Sequence, residues 1–235
     1  MPPAIPDAPA ARILFLHGSL SSGRMWAPYA ARFGGLAPDL LGYGRAPDRP
    51  GDRLRLADEA RAVLAEAPAE PVDVVAHSYG ATVALRLAIL APHRVRSLCL
   101  IEPVAFYLLP HLGPRARAAL REVEDVARTM RRNLALGEPE AAVARFVDFW
   151  NGPGAFAASP PQRRAAFAAR AGRVVRDFAA IEAERLAPAA LSRLFVPTLV
   201  VLGDRGPPAP VIAGEAIARA MPRASAATVR GAGHM

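Results

Sequence analysis

Read for its hydrophobic and polar positions, the chain opens on an apolar run at 12–16, unbroken as in a strand buried on both faces. A helical pattern follows at about 25–33, with Ser21 or Ser22 as its candidate cap, and then a short strand from Gly35. Residues 52–67 read as a helix, with Leu54, Leu56, Ala60, Val63 and Leu64 on one side and Asp52 as a cap. The β-branched run Val72, Val74 and Val75 predicts another strand. It turns helical almost at once, Ala81, Val83, Leu85, Leu87 and Leu90 recurring until Pro92 breaks the pattern. Residues 95–101 form the next apolar strand. Strand and helix therefore alternate, which predicts a parallel sheet with right-handed crossovers and helices on both faces.

The alternation stops between Pro103 and Leu194. Amphipathic helical segments at 115–136, 140–150, 161–171 and 173–186 fill this region, with Ser159-Pro160 as cap and first turn for the third. The sheet resumes at 197–202, followed by Gly203-Asp204-Arg205-Gly206, a helix over 211–220 and a last strand at 226–229. The expected fold is α/β, a mostly parallel sheet flanked by helices. Residues 1–102 and 195–235 would form the core, and 103–194 an all-helical lid over the carboxyl edge of the sheet. Phe106, Tyr107, Phe146, Phe149, Trp150 and Phe156 would either roof a pocket or pack helix against helix.

Composition narrows the class. A hydrophobic fraction of 52% with 21% charged residues supports a full core. The net charge is +8 and every basic residue is Arg, but these alternate with Asp and Glu rather than forming a stripe, so no nucleic-acid partner is expected. The single Cys99 sits in an apolar run, where a small buried hydrophobe is expected, and no metal-ligand spacing occurs. Residues 1–11 show no secretory pattern, and no run is long enough to span a membrane. These features predict a soluble cytoplasmic protein acting on a small molecule without metal or cofactor, its oligomeric state left open.

The candidate chemistry lies at strand ends. In Ala76-His77-Ser78-Tyr79-Gly80 a strand passes straight into a helix, a sharp turn with Ser78 at its apex. Small residues on either side let the backbones cross there. Such a turn lifts the hydroxyl off the sheet and frees the next amide. Two readings fit Ser78, an exposed nucleophile or a cap for the helix that follows. At the end of the first strand stands His17-Gly18-Ser19-Leu20, and at the end of the last Gly231-Ala232-Gly233-His234. Brought to one edge, these supply a nucleophile, a base that can take and return its proton, and backbone amides of Ser19 and Tyr79 for an oxyanion. His17 is expected to order its loop and His77 to pack beneath the turn. Leu20, Phe106, Phe149 and Trp150 are the candidates for substrate contact.

The order and spacing of Leu16-His17-Gly18-Ser19, Pro38-Asp39-Leu40-Leu41-Gly42-Tyr43-Gly44, Ala76-His77-Ser78-Tyr79-Gly80 and Gly231-Ala232-Gly233-His234 resemble the α/β-hydrolase superfamily, in its lid-bearing branch with an HG oxyanion loop. The resemblance implies hydrolysis of an ester, amide, thioester or carbon–carbon bond through a Ser78-His234-acid triad, and the expected substrate is a small, mostly apolar acyl compound. The family's usual acid position holds Gly206, so the acid is expected to be Glu102, at the end of the sixth family strand as in certain haloalkane dehalogenases, with Asp204 as the alternative. Both ends are short against the family pattern, which would leave one sheet face partly uncovered and a terminal His234 prone to fraying. The alternative is a ligand-binding homologue, or a truncated form, that does not turn over.

Overall fold

Six strands form one sheet among the described residues, 13–49 and 53–235, of the computed structural model. They are β1 (Ile13–Leu16), β2 (Gly35–Leu36), β3 (Val72–His77), β4 (Val95–Ile101), β5 (Thr198–Gly203) and β6 (Ala224–Val229), in the order β2-β1-β3-β4-β5-β6. Every neighbouring pair is parallel, so all carboxyl ends point to one edge. The chain steps outward from β1 to β2, then returns to the other side of β1 with β3. This reversal opens a crevice beyond the ends of β1 and β3, where open α/β sheets hold their ligands. Leu16 pairs with Ala76, Ala76 with Leu100, and Ile101 with Val201, so four strand ends stand side by side.

The crossovers are α1 (Ala27–Phe33), α2 (Leu56–Glu66), α3 (Tyr79–Leu90) and α9 (Pro208–Ala220). α3 is apolar nearly all round because it packs against both the sheet and α2. Leu85 and Leu87 are fully buried, each contributing roughly 1.5–3 kcal/mol by leaving water. Between β4 and β5 runs a helical segment: a 3-10 turn (Phe106–His111), α4 (Gly113–Ala135), α5 (Pro139–Asn151), α6 (Pro161–Ala168), α7 (Ala171–Glu182) and the short α8 (Pro188–Leu191). Leu108, Val126, Met130, Val143 and Val174 form its own buried interior. No described helix is long and apolar enough to cross a membrane.

Several local expectations are corrected. The first helix opens with a 3-10 turn (Gly23–Trp26); Ser22 stands at its cap position but its hydroxyl makes no cap bond, and Ser21 Oγ donates to Met25 Sδ instead. α2 starts at Leu56, where Asp58 accepts from the Arg55 N–H at 3.1 Å; Asp52 and Arg12 lie outside the described residues. α6 starts at Pro161, and Ser159 Oγ turns back to the Ala155 carbonyl. The 3-10 turn and α8, each too short for a periodic signal, were not foreseen.

The two sheet faces differ. Leu14, Val74, Leu98, Leu100 and Val200 are buried on the face covered by α2, α3 and α9. On the other, Val75, Cys99, Ile101 and Val201 are half-buried and Leu199 is 41% exposed. A groove of about 780 Å³ runs along this face, between α1 and the β6 end. Cys99 is therefore not the fully buried hydrophobe expected.

Candidate active site

Ser78 occupies the turn between β3 and α3 at φ 55, ψ −120, a left-handed conformation that costs a non-glycine residue about 1–3 kcal/mol. Its N–H is held by the Ile101 carbonyl at 2.9 Å. Gly80 lies against the backbone of Leu16 and His17; a Cβ there would sit 2.8 Å from the Leu16 carbonyl carbon. The small residues thus let β1 and α3 touch, which draws the His17-Gly18 loop onto Ser78. The Ser78 hydroxyl makes no cap bond to α3. It donates instead to His234 Nε2 at 2.9 Å.

The far ring nitrogen, His234 Nδ1, lies 3.0 Å from Glu102 Oε2. A carboxylate oxygen accepts, so Nδ1 carries the proton and Nε2 presents its lone pair to Ser78. Glu102 sits just past β4 with φ 50, and its other oxygen accepts from the Gly203 N–H at 2.6 Å. That bond leaves Oε2 aimed at the imidazole. Burial holds the His234 pKa below its ordinary value, against the opposing pull of Glu102. His234 is 3% exposed, and its carbonyl accepts from His77 Nε2 at 2.8 Å, so the ring is fixed although the next residue, Met235, is exposed. Asp204, the alternative acid, is elsewhere: its carboxylate accepts from the Gly231 N–H at 2.7 Å and closes the turn after β6.

The loop after β1 stands beside the hydroxyl. A Cβ on Gly18 would lie 3.4 Å from Ser78 Oγ. The Tyr79 N–H belongs to the first residue of α3, among the amides a helix cannot satisfy internally. His17 joins its own loop to the one after β2: Nδ1–H donates to the Gly18 carbonyl at 2.8 Å, and Nε2 accepts from the Leu40 N–H at 3.0 Å. Burial lowers both His17 and His77 to about 4, so each is neutral near pH 7. His77 does more than pack beneath the turn, since it anchors the terminal histidine.

Over Ser78 the helical segment leaves a cavity of about 20 Å³, room for about one water molecule. Ser19, Phe106, Phe146, Trp150 and Asp177 are among its walls. The Trp150 ring stacks on the His234 imidazole with centroids 3.8 Å apart. Two expected contacts fall outside this cavity. Phe149 packs edge-on against Trp150, and Leu20, at φ 58, faces a separate cleft.

A buried polar cluster, not foreseen, fastens the helical segment to the loop after β1. Asp177 of α7 accepts from Ser19 Oγ at 2.6 Å and Tyr43 Oη at 2.5 Å, and pairs with Arg173 one turn earlier. Arg173 also pairs with Glu59 of α2 and donates to the Leu41 carbonyl, while its guanidinium lies over the Tyr43 ring. Glu59 accepts in turn from the Leu41 N–H at 3.0 Å. Burial pushes both carboxyls up, Glu59 to about 7, against the charge of Arg173. The one sequence signal was three charged residues at apolar-face positions of amphipathic helices.

The family comparison agrees with this architecture. The chain belongs to the alpha/beta hydrolase family, whose model matches residues 13–235. It is 38% identical over 102 residues to the lipase LipV of Mycobacterium tuberculosis, a match covering 42% of this chain and 39% of that one. It is 34% identical over 127 residues to the probable lysophospholipase BODYGUARD 2 of Arabidopsis thaliana, covering 47% of this chain and 26% of that one. The matches thus span well under half the length of these relatives. Among solved structures, MGS-M2, an alpha/beta hydrolase from a Medee basin deep-sea metagenome library, superposes with a TM-score of 0.74 at 15% identity, over 99% of this chain and 85% of the other; this likeness concerns the fold.

Proposed function

We propose that the protein is a serine hydrolase that cleaves an ester, thioester or related acyl bond. Its acyl group is small and apolar, in keeping with the aromatic walls above Ser78. The observation that carries this reading is the unbroken buried relay from Ser78 Oγ through His234 to Glu102, at 2.9 and 3.0 Å. Ser78 Oγ attacks the acyl carbon as its proton passes to His234 Nε2. The Ser19 and Tyr79 amides receive the oxyanion, each such donor contributing about 3 kcal/mol to lowering the barrier. The tetrahedral adduct collapses, the leaving group takes the proton from Nε2, and the acyl-serine remains. Water then attacks by the same route in reverse roles. Glu102 keeps the imidazole in the required tautomer and stabilises its charged form. Three strained non-glycine residues, Leu20, Ser78 and Glu102, all stand at this edge, where strain is commonly a functional feature. The small cavity implies that the helical segment acts as a lid and shifts to admit substrate.

A fluorophosphonate probe and a p-nitrophenyl ester series test the reading. Labelling and hydrolysis that both disappear in Ser78→Ala, with the fold intact by circular dichroism, are expected. Absence of labelling in the wild type, or hydrolysis that survives Ser78→Ala, refutes it and favours a ligand-binding homologue.

A further inference from the structure

Beside the loop that carries Ser19 lies a separate cleft of about 770 Å³, far larger than the cavity over Ser78. Leu20, Ser21 and Ser22 form one wall, the loop after β2 another, and α6 with its following turn the third. Four arginines from separate stretches of chain line it: Arg24, Arg45, Arg163 and Arg170. Elsewhere buried or bridging arginines such as Arg173, Arg176 and Arg131 have carboxylate partners. None of these four has an ion pair among the described residues. Arg163 lies over the Phe167 ring and Arg170 donates to the Ala166 carbonyl, so both are held but not neutralised. The lining contains one carboxylate, Asp39, already engaged by the Gly23 and Arg45 N–H groups at 2.8 Å each. A cleft with one dominant sign of charge concentrates anions, and guanidinium matches phosphate with paired donors.

We propose that this cleft is an anion subsite for a phosphate-bearing leaving group. The inference rests on the serine hydrolase reading and adds the half of the substrate that reading leaves open. Ser19 faces the cavity above Ser78 and Leu20 faces the cleft, so one strip of loop separates acyl site from anion site. Ser19 and Ser22 are at most about 11 Å apart, three steps of about 3.8 Å between consecutive Cα atoms, so the acyl group and the phosphate would be joined by a linker of comparable length. The substrate class is then an acyl ester or thioester of a phosphorylated alcohol or thiol. Charge scattered through the sequence hides this, because the four residues converge only in the folded chain.

Two matched pairs test it: butyryl-coenzyme A against its neutral truncation S-butyryl-N-acetylcysteamine, and 1-butyrylglycerol 3-phosphate against 1-butyrylglycerol. At least one phosphate-bearing member should show kcat/KM about tenfold or more above its neutral partner, identifying whether a nucleotide thiol or a glycerol phosphate is preferred. The ratio should fall with added salt and approach one in Arg45→Gln/Arg163→Gln. Equal rates within both pairs, or a preference that the double variant leaves intact, overturns the proposal while Ser78-dependent turnover of the neutral members still stands. Calorimetry with inorganic pyrophosphate needs no turnover and separates the two readings. One site with millimolar or tighter affinity, weakened about tenfold in the double variant, supports the cleft even if no ester is cleaved; no binding, or binding that the variant leaves unchanged, overturns it.

Discussion

Replacing Glu59 by glutamine should change how stability depends on pH by a calculable amount. Glu59 is fully buried, and burial raises its carboxyl from 4.5 to about 7. A folded-state value above the unfolded one means that folding is favoured by the protonated form. That stabilisation is complete below pH 4.5 and is lost as pH rises through about 7. At 1.36 kcal/mol per pH unit the interval corresponds to roughly 3 kcal/mol. Glutamine cannot titrate, so the unfolding free energy of wild type minus that of Glu59→Gln should fall by about 3 kcal/mol between pH 4.5 and 8. The difference is the quantity to follow, because the buried neutral His17 and His77 act oppositely: their lowered values cost stability as pH falls toward about 4. Urea unfolding at a series of pH values reads it directly; in melting temperature it amounts to about 6–12 °C for a chain of this size. The attraction of Arg173 acts only on ionised Glu59 and is already contained in the folded-state value, so what stays constant with pH is the difference in packing and hydrogen bonding between protonated Glu59 and glutamine. A difference that stays flat across the series refutes it, and would mean that Arg173 and the Leu41 N–H keep Glu59 ionised despite burial.

Three further outcomes are expected. Glu102→Gln should lower kcat for an activated ester by about 10³-fold or more by disfavouring the productive tautomer, whereas Asp204→Asn should change it less than about threefold; equal effects would remove Glu102 from the role. Gly80→Ala should destabilise the fold by about 3 kcal/mol, the upper end of the usual overpacking cost, since its Cβ would strike the backbone of Leu16 and His17 rather than a movable side chain, and a soluble variant with unchanged melting temperature would contradict this. The acid limb of the kcat/KM profile should have its midpoint below the ordinary histidine value, because burial lowers His234 and its neutral ring is the proposed base; a midpoint above it would show that the Glu102 charge outweighs burial.

Much of this arrangement is legible in the amino-acid sequence. Unbroken apolar runs with helical patterns between them can be satisfied only by a parallel sheet, and small residues around Ser78 can be required only where backbones cross. These are short-range facts, set by side-chain size and by the periods of helix and strand. For the carboxylate facing His234 the sequence ranked Glu102 ahead of Asp204 without deciding between them, because both follow strands. Which one turns inward is set by a left-handed residue after β4 and by the Gly203 amide, neither visible in residue type.

The chain's own order therefore determined the fold class, the sharp turn at Ser78 and the assembly of histidines and glycines at strand ends. Only the tertiary structure decided which carboxylate faces His234, that Arg173 and Asp177 fasten α7 to the Ser19 loop, and that four distant arginines share one cleft. Patterning along the chain carries burial and period, whereas charge pairing and convergence depend on distances between segments that only packing brings together.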